Sequence, residues 1–204
     1  LDQRAGDPGG EVGESHSGQH NRAMSNPPNS AVIGGRRFDW GSRVYLMGII
    51  NVTPDSFSGD GLGHDPEAAV ELGLRMASAG ADILDVGGES TRPGHTPVSA
   101  EVEMERALPV VERLAREAGV PVSIDTSKLA VARAAVAAGA TMVNDVWGLQ
   151  RSPGIAALAA DQGAGLVLMH NQEGHEYGDL LGEIAARLRR SLAAAVAAGV
   201  PRER

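Results

Sequence analysis

Apolar residues from position 43 onward form short continuous runs that alternate with longer amphipathic segments. Continuous runs of strand length are typical of buried strands, whereas apolar residues spaced three to four apart are typical of helices. The pattern predicts strands at residues 44–51, 81–86, 121–125, 141–146 and 166–170, and helices at residues 66–79, 98–118, 129–138, 153–162 and 180–198. Gly80 and Gly139 stand where two of these helices should end, and Pro153 where another should begin.

Strands and helices that alternate five times predict parallel strands buried beneath helices. Two architectures fit this order, a (β/α)8 barrel and an open doubly wound sheet. A doubly wound sheet usually carries G-x-G-x-x-G after its first strand, but residues 51–55 here read Asn-Val-Thr-Pro-Asp.

The predicted strands end in polar residues, which would meet at the mouth of a barrel. These residues are Asn51, Asp85, Asp125, Asn144 with Asp145, and His170. Each alone has a structural explanation, such as a helix N-cap at Asp125 or a satisfied buried histidine at His170. Their convergence favours a ligand site in an α/β protein, a (β/α)8 TIM barrel of which about the first five βα units are present.

The first 35 residues are rich in Gly, Ser, Asn, Pro and His and have no apolar period. Such a segment cannot bury enough apolar surface to offset the entropy of ordering it. We therefore predict a disordered tail at residues 1–35 and an incomplete barrel domain at residues 36–204. Because the chain opens with Leu1, Met24 is a candidate natural start.

The composition and charge of the chain exclude several classes of function. A formal charge of −8 lacks the basic footprint of a nucleic-acid-binding protein, and Arg187, Arg189 and Arg190 are expected on a solvated helix face. The chain has no cysteine, which excludes disulfides and thiolate metal sites. No apolar run reaches the ~18 residues of a membrane span, and the start lacks a secretory signal. We expect a cytoplasmic protein that binds neither nucleic acid nor a membrane.

Glycine-rich loops at residues 53–63 and 87–94 follow the first two predicted strands. Glycines allow close backbone approach and loop movement near a ligand. Arg92 offers a planar donor fork for a diphosphate or a carboxylate, and the side-chain oxygens of Asn51 and Asp55 suit Mg²⁺. Ordinary turn-rich loops are the alternative interpretation.

These two loops carry a resemblance to a known family. Residues 46–58 (Leu-Met-Gly-Ile-Ile-Asn-Val-Thr-Pro-Asp-Ser-Phe-Ser) and 85–94 (Asp-Val-Gly-Gly-Glu-Ser-Thr-Arg-Pro-Gly) resemble the two signature segments of dihydropteroate synthases. Residues 123–128, 143–146 and 167–170 are similar to later strand ends of that family, in the same order. Several segments in order are far more specific than one loose motif.

The resemblance implies a (β/α)8 barrel that condenses 6-hydroxymethyl-7,8-dihydropterin diphosphate with 4-aminobenzoate, with Mg²⁺ as cofactor and a homodimer as a possible assembly. It assigns the pterin edge to Asp125 and Asn144 and the pterin ring to Met169. The aminobenzoate pocket falls to Thr91, Arg92, Pro93 and Phe57, with Asp55 on the same loop as Phe57. Asn51 would bind the diphosphate and its Mg²⁺.

This sequence departs from the family in two places. Residues 58–61 read Ser-Gly-Asp-Gly instead of the usual Ser-Asp-Gly-Gly, so we do not transfer the aspartate's role to Asp60. The sequence ends at Arg204, where a sixth strand is expected. We therefore expect this chain by itself to be poorly active.

Two alternatives stay open from the sequence. One is a methyltetrahydrofolate-type pterin-binding methyltransferase, which would share the pterin-holding strand ends but need no diphosphate or aminobenzoate site. The other is a non-catalytic or weakly active fragment that binds pterin.

Overall fold

The computed structural model describes residues 30–53, 65–90, 96–174 and 176–204. Seven strands and five helices lie in these ranges. The strands are β1 (Ser30–Ile33), β2 (Arg36–Asp39), β3 (Met47–Asn51), β4 (Ile83–Gly87), β5 (Val122–Asp125), β6 (Met142–Asp145) and β7 (Gly165–Leu168), and the helices are α1 (Pro66–Ser78), α2 (Ala100–Glu117), α3 (Leu129–Ala137), α4 (Gly154–Gln162) and α5 (Leu180–Ala197). All ten predicted elements are confirmed, with ends that differ by at most three residues.

The five strands β3 to β7 form one parallel sheet in which each strand pairs with the next along the chain. This sequential order has no reversal, whereas a doubly wound sheet reverses at its switch point. The described residues therefore form five βα units of a (β/α)8 barrel, as predicted.

The helices cover one face of this sheet. Ile50, Val86, Ile124 and Val143 stand in register on that face and are fully buried. They pack with helix residues such as Leu114 in the main core. The opposite, inner face is more open at its margins: Met47, Ile49, Val167 and Met169 keep 36–48% of their surface exposed.

Local signals in the sequence explain where the helices begin and end. The Asp65 side chain accepts hydrogen bonds from the backbone N–H groups of Glu67 and Ala68, which caps α1 ahead of Pro66. Gly163 ends α4 in the left-handed conformation, at φ 63°. No helix in the described ranges is both long enough and apolar enough to cross a membrane.

An antiparallel hairpin of β1 and β2 precedes the barrel units, and the sequence analysis missed it. Its apolar residues Ala31, Ile33 and Phe38 pack against Ile83 and Met142, at the N-terminal ends of the strands. The expected tail boundary at residue 35 therefore falls inside this hairpin, and the rest of that tail, residues 1–29, lies outside the described residues.

A buried carboxylate ties the hairpin to the sheet. Asp82, which precedes β4, is 2% exposed and forms ion pairs with Arg36 at 2.7 Å and Arg43 at 2.6 Å. It also accepts the backbone N–H of Leu46 at 3.0 Å. These donors hold the pKa of Asp82 at about 2, with the Arg43 hydrogen bond as the largest cause.

Candidate active site

The C-terminal ends of the strands bring four residues into one row across the sheet. Asn51 pairs with Gly87, Gly87 with Asp125, and Asp125 with Asn144. Because side chains alternate along a strand, this row points to the face opposite the helices. Three of the predicted site residues thus share one edge and one face, which is where active sites of barrel enzymes lie.

Asp85 lies on the same face, one layer deeper than Asp125. The Asn144 side-chain amide donates to Asp85 Oδ2 at 3.0 Å, so the two polar groups orient each other. Asp85 is buried, and burial raises the pKa of its carboxyl group. The hydrogen bond therefore fixes the orientation of the Asn144 side-chain amide at the mouth of the sheet.

Asp125 is the most perturbed acid of the site. Its Oδ1 atom is buried without a hydrogen-bond partner among the described residues. Burial, followed by the negative charges of Asp85, Glu103, Asp145 and Glu89, raises the pKa of Asp125 to about 8. A buried carboxylate with an unsatisfied oxygen is costly unless a ligand donates to it. The arrangement suits a ligand that presents adjacent N–H groups.

Asp145 follows Asn144 on β6, but its side chain has a different task. It accepts the backbone N–H of Trp147 at 2.9 Å and that of Leu149 at 2.7 Å. The carboxylate therefore organises the turn after β6, in which Leu149 takes a positive φ of 68°. The structure removes Asp145 from the group of strand-end residues that could contact a ligand.

The end of β7 supplies two more predicted residues. Met169 lies two positions after Val167, which pairs with Asn144, so it follows the same face of the sheet and is 45% exposed. The Nε2 atom of His170 lies 3.0 Å from the hydroxyl oxygen of Tyr177, while its buried Nδ1 has no partner in the described ranges.

Sequence reasoning missed a charged cluster beside this row. Lys128, at the start of α3, contacts Glu89 Oε2 and Glu103 Oε2, each at 2.5 Å. It also missed Arg151, whose guanidinium stacks on the Trp147 ring at 3.7 Å. A cavity among the strand-end loops is lined in part by Glu89, Asp125, Thr126, Trp147, Arg151 and Asn171. These partners are far apart in sequence, and no local pattern signals their contact.

Comparison with known proteins decides the family. A family model described as pterin binding enzyme matches residues 47–204, which is most of the chain. The chain belongs to the pterin-binding enzyme family.

The relatives of this pterin-binding chain are dihydropteroate synthases. One from Bacillus subtilis is 47% identical over 158 residues, which make up 78% of this chain and 55% of the relative. A structure of the Xanthomonas albilineans enzyme with 4-aminobenzoic acid has a TM-score of 0.78 at 47% identity, covering 86% of this chain and 64% of that chain. Another, in complex with 7,8-dihydropteroate, has a TM-score of 0.71 at 40% identity, covering 86% and 62%. The chain thus spans between half and two thirds of these relatives.

Several predicted site residues of this pterin-binding chain cannot be placed. Asp55 and Phe57 of the first loop lie outside the described residues, as do Thr91, Arg92 and Pro93 of the second. The structure describes only the flanks of these loops: Thr53 and Asp65 flank the first loop, and Ser90 and Thr96 flank the second.

The predicted Mg²⁺ ligand, Asn51, is half-buried at the end of β3. The described ranges contain no group of three or more His, Cys, Asp or Glu residues arranged to hold a metal. A dedicated protein cage is therefore absent from that part of the pterin-binding chain. A single amide oxygen still fits Mg²⁺, which keeps several waters and is commonly shared with substrate phosphates.

Proposed function

We propose that this chain belongs to a dihydropteroate synthase, which condenses 6-hydroxymethyl-7,8-dihydropterin diphosphate with 4-aminobenzoate to give 7,8-dihydropteroate and diphosphate. The single observation that carries the proposal is the half-buried Asp125, whose Oδ1 atom is buried without a hydrogen-bond partner among the described residues, beside Asn144 at the mouth of the sheet. The ligands named in the two solved Xanthomonas albilineans relatives, 4-aminobenzoic acid and 7,8-dihydropteroate, support the same substrate class.

In this proposal Asp125 binds the amino-pyrimidine edge of the pterin. A carboxylate that faces two parallel N–H groups accepts both, and Asn144 adds an amide held in place by Asp85. Because the pKa of Asp125 is about 8 in the ligand-free chain, the carboxyl group is largely protonated at pH 7. The ligand's donors stabilise the charged form, so pterin binding should release a proton.

Other residues complete the substrate site. Met169 provides an exposed thioether that can pack against the pterin ring. Asn51 would hold Mg²⁺, which, when bound, stabilises the negative charge of the departing diphosphate. We assign Phe57, Thr91, Arg92 and Pro93 to the aminobenzoate pocket and Asp55 to the adjacent loop on the resemblance alone. A cytoplasmic location and a homodimer belong to the same proposal.

The proposal is tested by incubating the purified chain with the pterin diphosphate, 4-aminobenzoate and Mg²⁺, and measuring dihydropteroate. Binding of 6-hydroxymethylpterin is measured in parallel by calorimetry in two buffers of different ionisation enthalpy, which reports proton release. Asp125→Asn should abolish binding, whereas Asp39→Asn, at an exposed position on the hairpin, should leave it unchanged.

The outcomes separate the alternatives. Turnover that depends on Asp125 supports the synthase. Pterin binding without turnover identifies a binding fragment, and binding of methyltetrahydrofolate together with a cobalamin partner identifies a methyltransferase. Failure of the wild-type chain to bind any pterin would refute the assignment of the Asp125–Asn144 edge.

A further inference from the structure

The cluster of Lys128, Glu89 and Glu103 joins three segments of the chain. Glu103 lies on α2 and is 0% exposed, Glu89 follows β4, and Lys128 directly precedes α3. The Lys128 ammonium group lies 2.5 Å from one oxygen of each carboxylate, and its side chain is 25% exposed. Because the Lys128 ammonium group already pairs with two carboxylates and is partly buried, it is poorly placed to bind an anionic ligand.

Glu89 connects the two flanks of the loop that follows β4. One of its oxygens contacts Lys128, and the other accepts the backbone N–H of Val98 at 3.2 Å. Glu89 and Val98 bracket residues 91–95. A single carboxylate therefore holds both flanks of this loop, and Lys128 holds that carboxylate.

Helix α2 supports the same point from its own side. The Arg106 guanidinium donates to the backbone carbonyl of Gly88 at 3.2 Å. Gly88 lies so close to α2 that a Cβ atom there would meet the Glu103 carbonyl oxygen at 2.7 Å. Gly88 and Glu89 are thus packed tightly on the turn of α2 that carries Glu103.

Lys128 is in turn rigidly placed relative to Asp125. Its backbone N–H donates to Thr126 Oγ1 at 3.1 Å, and the Thr126 N–H donates to the Asn144 carbonyl at 3.0 Å. The backbone that presents Lys128 is therefore the one that presents Asp125 and contacts Asn144.

We propose that Lys128 is a positioning residue, which holds Glu89 and Val98, the described flanks of the loop between β4 and α2, at a fixed distance from Asp125 by binding both Glu89 and Glu103. Under the proposed function, on which this role rests, Asp125 binds the pterin and the loop after β4 carries the aminobenzoate residues. Lys128 would then set the spacing between the two substrates without touching either.

The first test measures backbone hydrogen exchange and needs no substrate. In Lys128→Met the Val98 amide should exchange about tenfold faster, because Glu89, which accepts its N–H, loses its ion pair with Lys128. Lys128→Arg keeps a cation that can bridge both carboxylates, and should stay within about threefold of wild type. Unchanged exchange at Val98 in Lys128→Met would overturn the proposal.

The control is a second cation that bridges two carboxylates. Arg113 on α2 pairs with Glu67 at 3.0 Å and Glu117 at 2.6 Å, so its partners differ from those of Lys128. Arg113→Met should leave Val98 exchange unchanged, and faster exchange there would show that any lost ion pair has this effect.

A double variant separates positioning from folding. Lys128→Met leaves Glu103 buried and unpaired, which could unfold the chain. Adding Glu103→Leu removes that charge and should restore the urea midpoint, while Val98 should still exchange about tenfold faster. Recovery of protection at Val98 in the double variant would contradict the positioning role.

The second test uses substrate affinities. Lys128→Met should weaken 4-aminobenzoate about tenfold, measured with pterin and magnesium diphosphate present, but weaken 6-hydroxymethylpterin less than about threefold. Equal losses for both ligands, or none, would overturn the proposed spacing role. If the wild-type chain binds neither ligand, the proposed function fails, whereas the exchange measurement still decides whether Lys128 holds the loop.

Discussion

Replacing Asp82 with Asn removes the negative charge that ties the β1–β2 hairpin to the sheet. The variant keeps a side chain of nearly the same shape and an oxygen for the Leu46 N–H. It loses both ion pairs, to Arg36 and Arg43. Asp82 is buried, but the side chains of Arg36 and Arg43 reach solvent. Removal of the Asp82 charge should therefore weaken the attachment of the hairpin to the sheet without leaving a buried, unpaired cation.

The magnitude follows from the pKa of Asp82. Folding lowers this pKa from 3.8 to about 2, which corresponds to about 2 kcal/mol of stability. The two arginine side chains are 36% and 50% exposed, so solvent screening reduces this value. We expect Asp82→Asn to lower the free energy of unfolding at pH 7 by about 1–2 kcal/mol.

The pH dependence has a definite sign. An acid whose pKa is lowered by folding stabilises the folded state above its unfolded pKa, and loses that contribution as pH falls toward its folded pKa. The difference between wild type and Asp82→Asn should be full above pH 5, about half at pH 3, and close to zero near pH 2.

Urea denaturation followed by circular dichroism at pH 7, 5, 4 and 3 measures this difference. Asp39→Asn is the matched control, because its pair with Arg37 is also 2.7 Å long but the Asp39 side chain is 50% exposed. The control should show no measurable change. A difference for Asp82→Asn that stays constant between pH 7 and 3 would refute the reasoning, since it could not come from the charge.

Three further changes have defined outcomes in denaturation experiments. At pH 9, Asp125→Asn should raise the free energy of unfolding by more than about 1 kcal/mol, whereas at pH 4 it should not. The reason is that an acid whose pKa is raised by folding costs stability as the pH rises from its unfolded pKa to its folded pKa of about 8. An equal effect at both pH values would contradict this pKa. Gly88→Ala should cost about 1–3 kcal/mol, because its Cβ would meet a backbone oxygen at 2.7 Å, whereas Gly178→Ala, with its nearest atom at 3.4 Å, should cost little; equal costs would exclude the clash. Leu114→Ala should lower the free energy of unfolding by about 2–5 kcal/mol, because it leaves a cavity in the core. A smaller loss would contradict this, since it would mean that the surrounding core residues collapse into the cavity.

The periodicity of the sequence was sufficient to predict all five βα units. Continuous apolar runs and amphipathic helices report burial directly, so their existence and order follow from local sequence. The hairpin was harder, because β2 reads Arg-Arg-Phe-Asp and so has only one apolar residue. A signal was present nevertheless: Gly34 and Gly35 both have positive φ, and a Gly-Gly pair is typical of a two-residue hairpin turn.

The candidate site was predictable in its position but not in its division of roles. Asp125 and Asp145 both end predicted strands, and sequence alone cannot separate them. The structure does, because Asp145 is satisfied by two backbone N–H groups whereas Asp125 Oδ1 has no hydrogen-bond partner among the described residues. Likewise, the contacts of Lys128 span 39 and 25 residues, so they arise only when α2, α3 and the loop after β4 meet.

Folding shifts the pKa of an aspartate in opposite directions at the two ends of the sheet. At the N-terminal end, Asp82 accepts four hydrogen bonds from three residues and has a pKa of about 2, so its charge is stabilised by folding. At the C-terminal end, desolvation and then the charges of nearby acids raise the pKa of Asp125 to about 8, so its charge is destabilised by folding. An unligated fold gains nothing from the second arrangement. A ligand that donates N–H groups to Asp125 would recover that cost on binding, which is why the least stable carboxylate of the sheet is the one we assign to the substrate.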